Sequence, residues 1–348
     1  MKTLKYAFVF VGTIIGAGLA SGQEILQFFS MYGKKGILGI LICFVLYVFL
    51  SQIIIKLSIK YKLKSYSDYL KFVLGKQFGF FSDLIITFFI FSSNVIMISG
   101  SATLLYENFG FRKNYAVIFV SLVVLIISLF STKGLIEINS IIVPFSTLTI
   151  ILLGYFVLSS EIKTFEEIVE IYKPFKSNWL FSSFIYASFN IMSIIGVFSP
   201  IANEEKNKGA LIYGSLIGSL LLTIIALIIN FSILSYYPQS FSKEIPNIYI
   251  AKFYGNILPN LLMIAIWLEM ISTEISDIYS LAKRFSGSFN LSYRQIVLII
   301  ISVSLPFSFI SFSNLIKTIY PVYGLISFIL ILSSLIKSLI LKRHFFLN

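Results

Sequence analysis

"GTIIGAGLASGQE", Gly12–Glu24, lies inside the first long apolar run of the chain. It holds four glycines, then a glutamine and a glutamate, where a helix crossing lipid should be plain hydrocarbon. Each glycine weakens a helix by about 1 kcal/mol relative to alanine. A break at this depth frees backbone groups that lipid cannot satisfy, so it is tolerated only where protein, ions or a solute supply partners. The pair Gly12 and Gly16 also fits a small-xxx-small packing interface. Four glycines with Gln23 and Glu24 favour an opened helix over packing alone.

The surrounding composition sets the context. Of 348 residues, 57% are hydrophobic and 12% charged, the balance of a polytopic membrane protein rather than a soluble domain. One cysteine (Cys43) and one histidine (His344) exclude a disulfide scaffold and a His/Cys metal site. The net charge of +12 is spread between apolar runs, so it argues topology and not nucleic acid.

Ten runs suit a bilayer core of about 20 helical residues: Leu4–Ser30, Ile37–Ile55, Phe80–Tyr106, Tyr115–Phe130, Ile141–Leu158, Trp179–Ala202, Ala210–Leu234, Ile257–Leu281, Ile296–Ile310 and Leu315–Leu341. Runs four and nine are short, which leaves counts of nine or eleven open. With the N-terminus inside, 17 Lys/Arg fall on the cytoplasmic side and 10 outside, so both termini are expected in the cytoplasm of a multi-pass plasma-membrane protein. The start "MKTLKYAFVFVGTII" with "AGLASG" also has the layout of a cleavable secretory leader. The apolar pattern resumes with "ILQFF", which favours a retained first span.

Ten spans divide into two halves of five, 4–158 and 179–341, within one transmembrane domain of residues 1–348. An odd number per half makes equivalent halves inverted repeats, and interrupted helices at corresponding places point to a transporter's binding site. Span six, "YASFNIMSIIGVFSPIANEE", carries Asn190, Ser193, Gly196, Ser199 and Pro200. The expectation is therefore an all-α integral membrane protein, a five-plus-five inverted repeat with helices one and six discontinuous.

Span eight reads "LLMIAIWLEMISTEISDIYSLAKRF". At helical spacing, Glu269, Ser272, Thr273, Ser276 and Ser280 share a stripe about 100° wide, with Asp277 at its edge and Glu274 on the far side. A charged carboxylate at the membrane centre costs about 2.5–3.5 kcal/mol or more, so it faces a cavity, pairs or binds a cation. The bland alternatives are serines bonding their own backbone, and Glu274 and Asp277 near headgroups, paired with Lys283 and Arg284. Glu24 and Glu269 are candidates for holding a coupling proton or cation, and Glu24 also for a counter-ion to an amine.

Three motifs carry a resemblance. "GTIIGAG" resembles the first-helix motif of the amino acid–polyamine–organocation superfamily. "SDYLKFVLGKQFGFF", Ser67–Phe81, is similar to the loop leading into span three of its aromatic amino-acid permeases. "NEEKNKG", Asn203–Gly209, resembles the segment ending their span six, without the usual proline. The longer "GTIIGAGLASGQEILQFF" is most similar to the YkvI-like permeases. The resemblance implies a leucine-transporter-type fold. It places a solute carboxylate on Thr13, Gly16, Ala17 and Gly18, and a lining from span six at Phe189, Asn190, Ser193 and Gly196. It also implies a sodium site from the carbonyls of Gly12 and Ile15 and the hydroxyls of Ser272 and Thr273. Gly196 stands where the family often has an acid. Some relatives replace sodium by a lysine on span five, and none stands in "IIVPFSTLTIILLGYFVL".

Between the spans, "TFEEIVEIYKPF" has capping-box spacing and one apolar face, so a short surface helix is expected there. "PQSFSKEIPNIYIAKFYG" is long enough for a lid. The function expected is secondary active transport of a small amino acid or amine by alternating access, coupled to sodium or protons and requiring no bound cofactor. An intramembrane enzyme would need a Ser/His pair or two facing aspartates; only Asp277 lies deep, with Asp83 near an edge. A channel or receptor of the same fold is the other alternative.

Overall fold

A computed structural model describes residues 2–160, 177–243, 245–286 and 288–309, with a few isolated positions beyond. The expected surface helix at 164–175 and nearly all of the tenth span, Leu315–Leu341, lie outside these residues. Within them the chain is a bundle of helices in the order expected from the apolar runs. Among the described residues, five helices are by themselves long and apolar enough to cross a membrane: α4 (Lys34–Tyr61), α6 (Lys76–Phe109), α8 (Ser131–Ser159), α9 (Trp179–Glu204) and α10 (Lys208–Ser235). The short runs four and nine form α7 (Lys113–Ser128) and α13 (Tyr293–Phe307). Span eight is α12 (Ile257–Ser286), long enough but rich in acids. Short helices α5 (Tyr66–Leu74) and α11 (Pro246–Ala251) precede α6 and α12.

The first span is divided. It forms α1 (Lys2–Ile14), α2 (Ala17–Ser21) and α3 (Gln23–Phe28). Gly22 supplies the left-handed turn between α2 and α3, at φ +87°, a region open to glycine and strained for other residues. The α1 helix sits at the centre of the bundle, against α8, α9, α10 and α12. Val9, Phe10 and Val11 are fully buried there. Gly214 and Gly218 of α10 let the two backbones close up: a Cβ on either would stand 2.7 Å from Tyr6 Cβ or Phe10 Cβ. The outward face of α4 shows Leu38, Leu41, Val45 and Phe49, apolar surface fitted to lipid.

Span six departs from expectation. The α9 helix runs unbroken from Trp179 to Glu204, through Asn190, Gly196 and Pro200. Its polar and small residues serve contacts between helices instead. Asn190 Nδ2 donates to Tyr47 Oη at 2.9 Å, and Ser199 Oγ accepts from Ser58 Oγ at 3.1 Å. A Cβ on Gly196 would come within 2.6 Å of Ser280 Oγ, so this glycine is needed for close packing. Pro200 lies in the last two turns, where its missing N–H removes one bond without opening the helix.

Candidate functional site

The α1 helix ends because the chain leaves helical geometry at Gly16, which is extended at φ −101° and ψ −169°. Ile15 N–H still reaches Val11 O at 2.8 Å, and Ala20 N–H restarts the pattern on Gly16 O at 3.1 Å. The carbonyls of the last turn of α1 thereby lose their partners four residues on. Two of them are met by α12: Ser272 Oγ lies 3.2 Å from Gly12 O, and Thr273 Oγ1 lies 3.2 Å from Ile15 O. Thr273 Oγ1 is also 3.0 Å from Glu269 O, and Ser272 Oγ is 2.8 Å from Asn139 Oδ1 on α8.

Each hydroxyl carries one hydrogen. Two hydrogens therefore face four acceptors, in a nest of six oxygens around the break. Such oxygen-rich, proton-poor surroundings suit a hard cation such as sodium. The residues drawn together are Gly12, Ile15, Ser272 and Thr273, as the motif implied, with Asn139 added. The apolar-run boundary at Ile141 hid Asn139, because α8 starts ten residues earlier, at Ser131. Asn139 is fully buried, and its Nδ2 is tied to Leu135 O at 2.8 Å, which aims Oδ1 at Ser272.

Glu269 is also fully buried. Its two carboxyl oxygens have no hydrogen-bond donor within bonding geometry among the described residues, although Ser146 of α8 lies beside it. Ser276 and Ser280 bond the carbonyls four residues back, which is the bland reading of the stripe.

The residues expected around a solute are placed less uniformly. Gly16 lies between Met97 and Thr273, and a Cβ there would be 3.4 Å from Met97 Cε. Ala17 and Gly18 open α2, where their N–H groups have no acceptor four residues back in the helix. Thr13 Oγ1 is spent on Val9 O at 2.6 Å and does not face a solute. Glu24 is half-buried and folds back over α2, so a Cβ on Gly18 would overlap its Oε1 at 2.2 Å. Tyr186 of α9 donates to Glu24 Oε2 at 3.1 Å. Phe189 stacks edge-on against Phe89 of α6, with ring centroids 5.4 Å apart, and Ser193 is half-buried. Asn190 and Gly196 are used for packing, as described above. Tyr186 was missed because tyrosines are numerous along the chain. The segment expected as a lid places Asn247 of α11 on the broken span: Asn247 Nδ2 donates to Ala20 O at 2.8 Å.

One end of the bundle is fastened by ion pairs. Lys2 Nζ lies 3.1 Å from Glu205, Lys5 Nζ lies 2.6 Å from Glu137, and Lys283 pairs with Glu204. Arg284 grips the buried Asp83 with two bonds, of 2.6 and 3.3 Å. Burial works against charge on Glu205, but bonds from Tyr6, the Asn207 backbone N–H and Lys2 outweigh it and hold its carboxyl at about 2. The stabilisation this gives is present at neutral pH and fades as the pH falls below the ordinary glutamate range towards about 2.

Comparison with known proteins bears on the fold. No family model matches the chain. The chain is 28% identical over 324 residues to the uncharacterized membrane protein YkvI of Bacillus subtilis (strain 168), spanning 93% of this chain and 92% of that protein. It is 26% identical over 339 residues to the uncharacterized protein YyaD of the same strain, spanning 97% and 98%. Among solved structures, a Na+-coupled sialic acid symporter in a substrate-bound outward-open state superposes with a TM-score of 0.69, covering 92% of this chain and 74% of its own at 14% identity. MhsT in complex with L-phenylalanine gives 0.63, covering 93% and 87% at 16% identity. A manganese transporter of Eremococcus coleocola gives 0.58, covering 87% and 69% at 14% identity. The fold is thus that of all-α integral membrane transporters, shared by proteins that carry unlike solutes.

Proposed function

We propose that this chain is a secondary active transporter for a small amino acid or related amine, coupled to sodium, working by alternating access around the break in its first span. In this reading the halves are 4–158 and 179–341, and the end bearing Lys2, Lys283 and Arg284 faces the cytoplasm, as the distribution of basic residues favours. The observation that carries it is the nest of six oxygens sharing two hydrogens. Gly12 on α1 and Ile15 just after it, Ser272 and Thr273 on α12, the Glu269 carbonyl and Asn139 would hold the ion. A cation there ties α1 to α12 and favours one arrangement of the two helices, which is how an ion gradient can drive a solute.

On the solute side, Glu24 lies against the opened backbone at Gly18. A carboxylate bound at Ala17 and Gly18 alone would meet that acid, so the solute's ammonium belongs beside Glu24, with Tyr186 orienting the carboxyl. Glu24→Gln is expected to weaken amine-bearing solutes by tenfold or more, about the worth of one charge-assisted hydrogen bond, while sodium still stabilises the purified protein. Equal affinity in the variant would remove Glu24 from the solute site.

The test of the whole reading is thermal unfolding of purified protein with a panel of amino acids and amines, each in sodium and in choline at one ionic strength. Stabilisation by a solute that needs sodium is expected. Stabilisation of equal size in choline would contradict sodium coupling, and a flat response across the panel would contradict the solute class.

A further inference from the structure

Between α6, α12 and α13 the bundle carries an apolar groove of about 610 Å3, apart from the ion nest and from the residues around Glu24. Phe88 and Phe91 of α6, Phe285 of α12, and Ile299 and Val303 of α13 form its walls, and Phe289 joins them from the α12–α13 connection. Thr87 is the only polar side chain lining it among the described residues, and its hydroxyl is engaged with Tyr66 Oη of α5 at 2.7 Å. The walls therefore offer apolar contact, with no charge and no uncommitted hydroxyl for a polar solute. Leu84, Phe88, Ile299 and Val303 are exposed, so the groove opens sideways, on the surface a bilayer covers. It follows α6 from Leu84 to Phe91 and α13 from Ile296 to Val303, about 10 Å of each helix.

One end of this groove is basic. Residues 76, 80, 84, 87 and 91 succeed one another at three- and four-residue steps on α6. Lys76 thus heads the stripe on which Leu84, Thr87 and Phe91 line the groove. It stands eight residues before Leu84, about 12 Å along the axis, with the exposed Phe80 between them. Lys71 of α5 is brought alongside by Gly79 of α6, where a Cβ would stand 2.5 Å from Lys71 Cα. Both lysines are exposed, and neither pairs with an acid among the described residues.

The nearby acids do not cancel this charge. Residues 56–76 hold six lysines and one acid, Asp68, whose carboxylate accepts from the Lys64 backbone N–H at 3.0 Å. Asp83, next to Leu84, is taken up by Arg284. The Arg284 guanidinium itself lies 4.7 Å from the centre of the Phe285 ring on the groove wall. An occupant must then be apolar along the groove and anionic about 12 Å further on. An amino acid or amine is too short and too polar, and a neutral lipid leaves the lysines unanswered. The acyl chain and phosphate of an anionic phospholipid meet both demands, because lysine stems lie along apolar surface and carry their charge to the headgroup level.

We propose that the groove between α6, α12 and α13, with Lys71 and Lys76 at its basic end, binds one anionic phospholipid, its acyl chain against the walls and its phosphate on the two lysines. The site stands apart from the transport reading and needs only a chain set in a bilayer.

Native mass spectrometry of the purified full chain, with dioleoylphosphatidylglycerol or dioleoylphosphatidylcholine added at equal concentration, tests it. One bound phosphatidylglycerol is expected, preferred over phosphatidylcholine by on the order of twentyfold, about fivefold for each lysine. Lys71→Gln/Lys76→Gln should remove the preference, Lys71→Arg/Lys76→Arg should keep it, and added salt should shrink it. Ile299→Trp/Val303→Trp fills the groove and should weaken phosphatidylglycerol although both lysines remain. The substituted side chains are exposed, so these variants should fold. Equal binding of the two lipids by wild type would overturn the site. Undiminished phosphatidylglycerol on the glutamine variant or on the tryptophan variant would overturn it too, and so would a second copy of the chain that phosphatidylglycerol does not displace.

Discussion

Replacing Gly12 by alanine is expected to weaken sodium-dependent stabilisation and uptake at least tenfold. The added Cβ would stand 1.7 Å from Asn139 Oδ1 and 2.8 Å from Ser272 Oγ, so two of the six oxygens must leave the nest. Asn139 cannot simply turn aside, because its Nδ2 is anchored on Leu135 O. Alanine suits the last turn of α1 better than glycine does, so the helix should form. The loss then belongs to the ion site rather than to folding. A rise of tenfold or more in the sodium concentration at half-effect is the expected result. Gly16→Ala is the contrast: its nearest neighbours, Met97 Cε at 3.4 Å and Thr273 Oγ1 at 3.5 Å, are at ordinary contact distance. It should keep the sodium response. An unchanged sodium midpoint in Gly12→Ala would remove Gly12 and Asn139 from the site.

Arg284→Ala should be the most damaging change to stability. Asp83 is fully buried, and Arg284 holds both of its oxygens. Removing one partner of a buried pair leaves an uncompensated charge, at a cost of about 3–5 kcal/mol. The double variant Asp83→Asn/Arg284→Ala should recover most of that loss, because no charge is stranded. Unfolding of the two variants, compared in the same detergent, checks this. If the single variant is no less stable than the double, the pair is not coupled.

Much of the site could be read from residue order alone, because it rests on local chemistry. Four glycines in one span announced a helix that opens, whereas the pairing of Ser272 and Thr273 with the freed carbonyls came only from the resemblance of the first-span motif. Span six misled because the same residue types have two uses. Gly196 gives room to Ser280, and Asn190 reaches Tyr47, so a glycine-and-asparagine signature there marks close packing without unwinding. Which use prevails depends on the neighbouring helix, which sequence spacing does not show. Asn139 was lost for a simpler reason: the helix extends well past its apolar run. The alternative that paired Glu274 and Asp277 with Lys283 and Arg284 rested on sequence proximity, but those bases find Glu204 and Asp83, more than seventy residues away in sequence.

Binding of radioactive sodium to the purified wild-type protein and to Ser272→Ala/Thr273→Ala tests the ion nest most directly. Saturable binding by the wild type and none by the double variant is the outcome that an opened first span facing two hydroxyls demands. Equal binding by both proteins would contradict it.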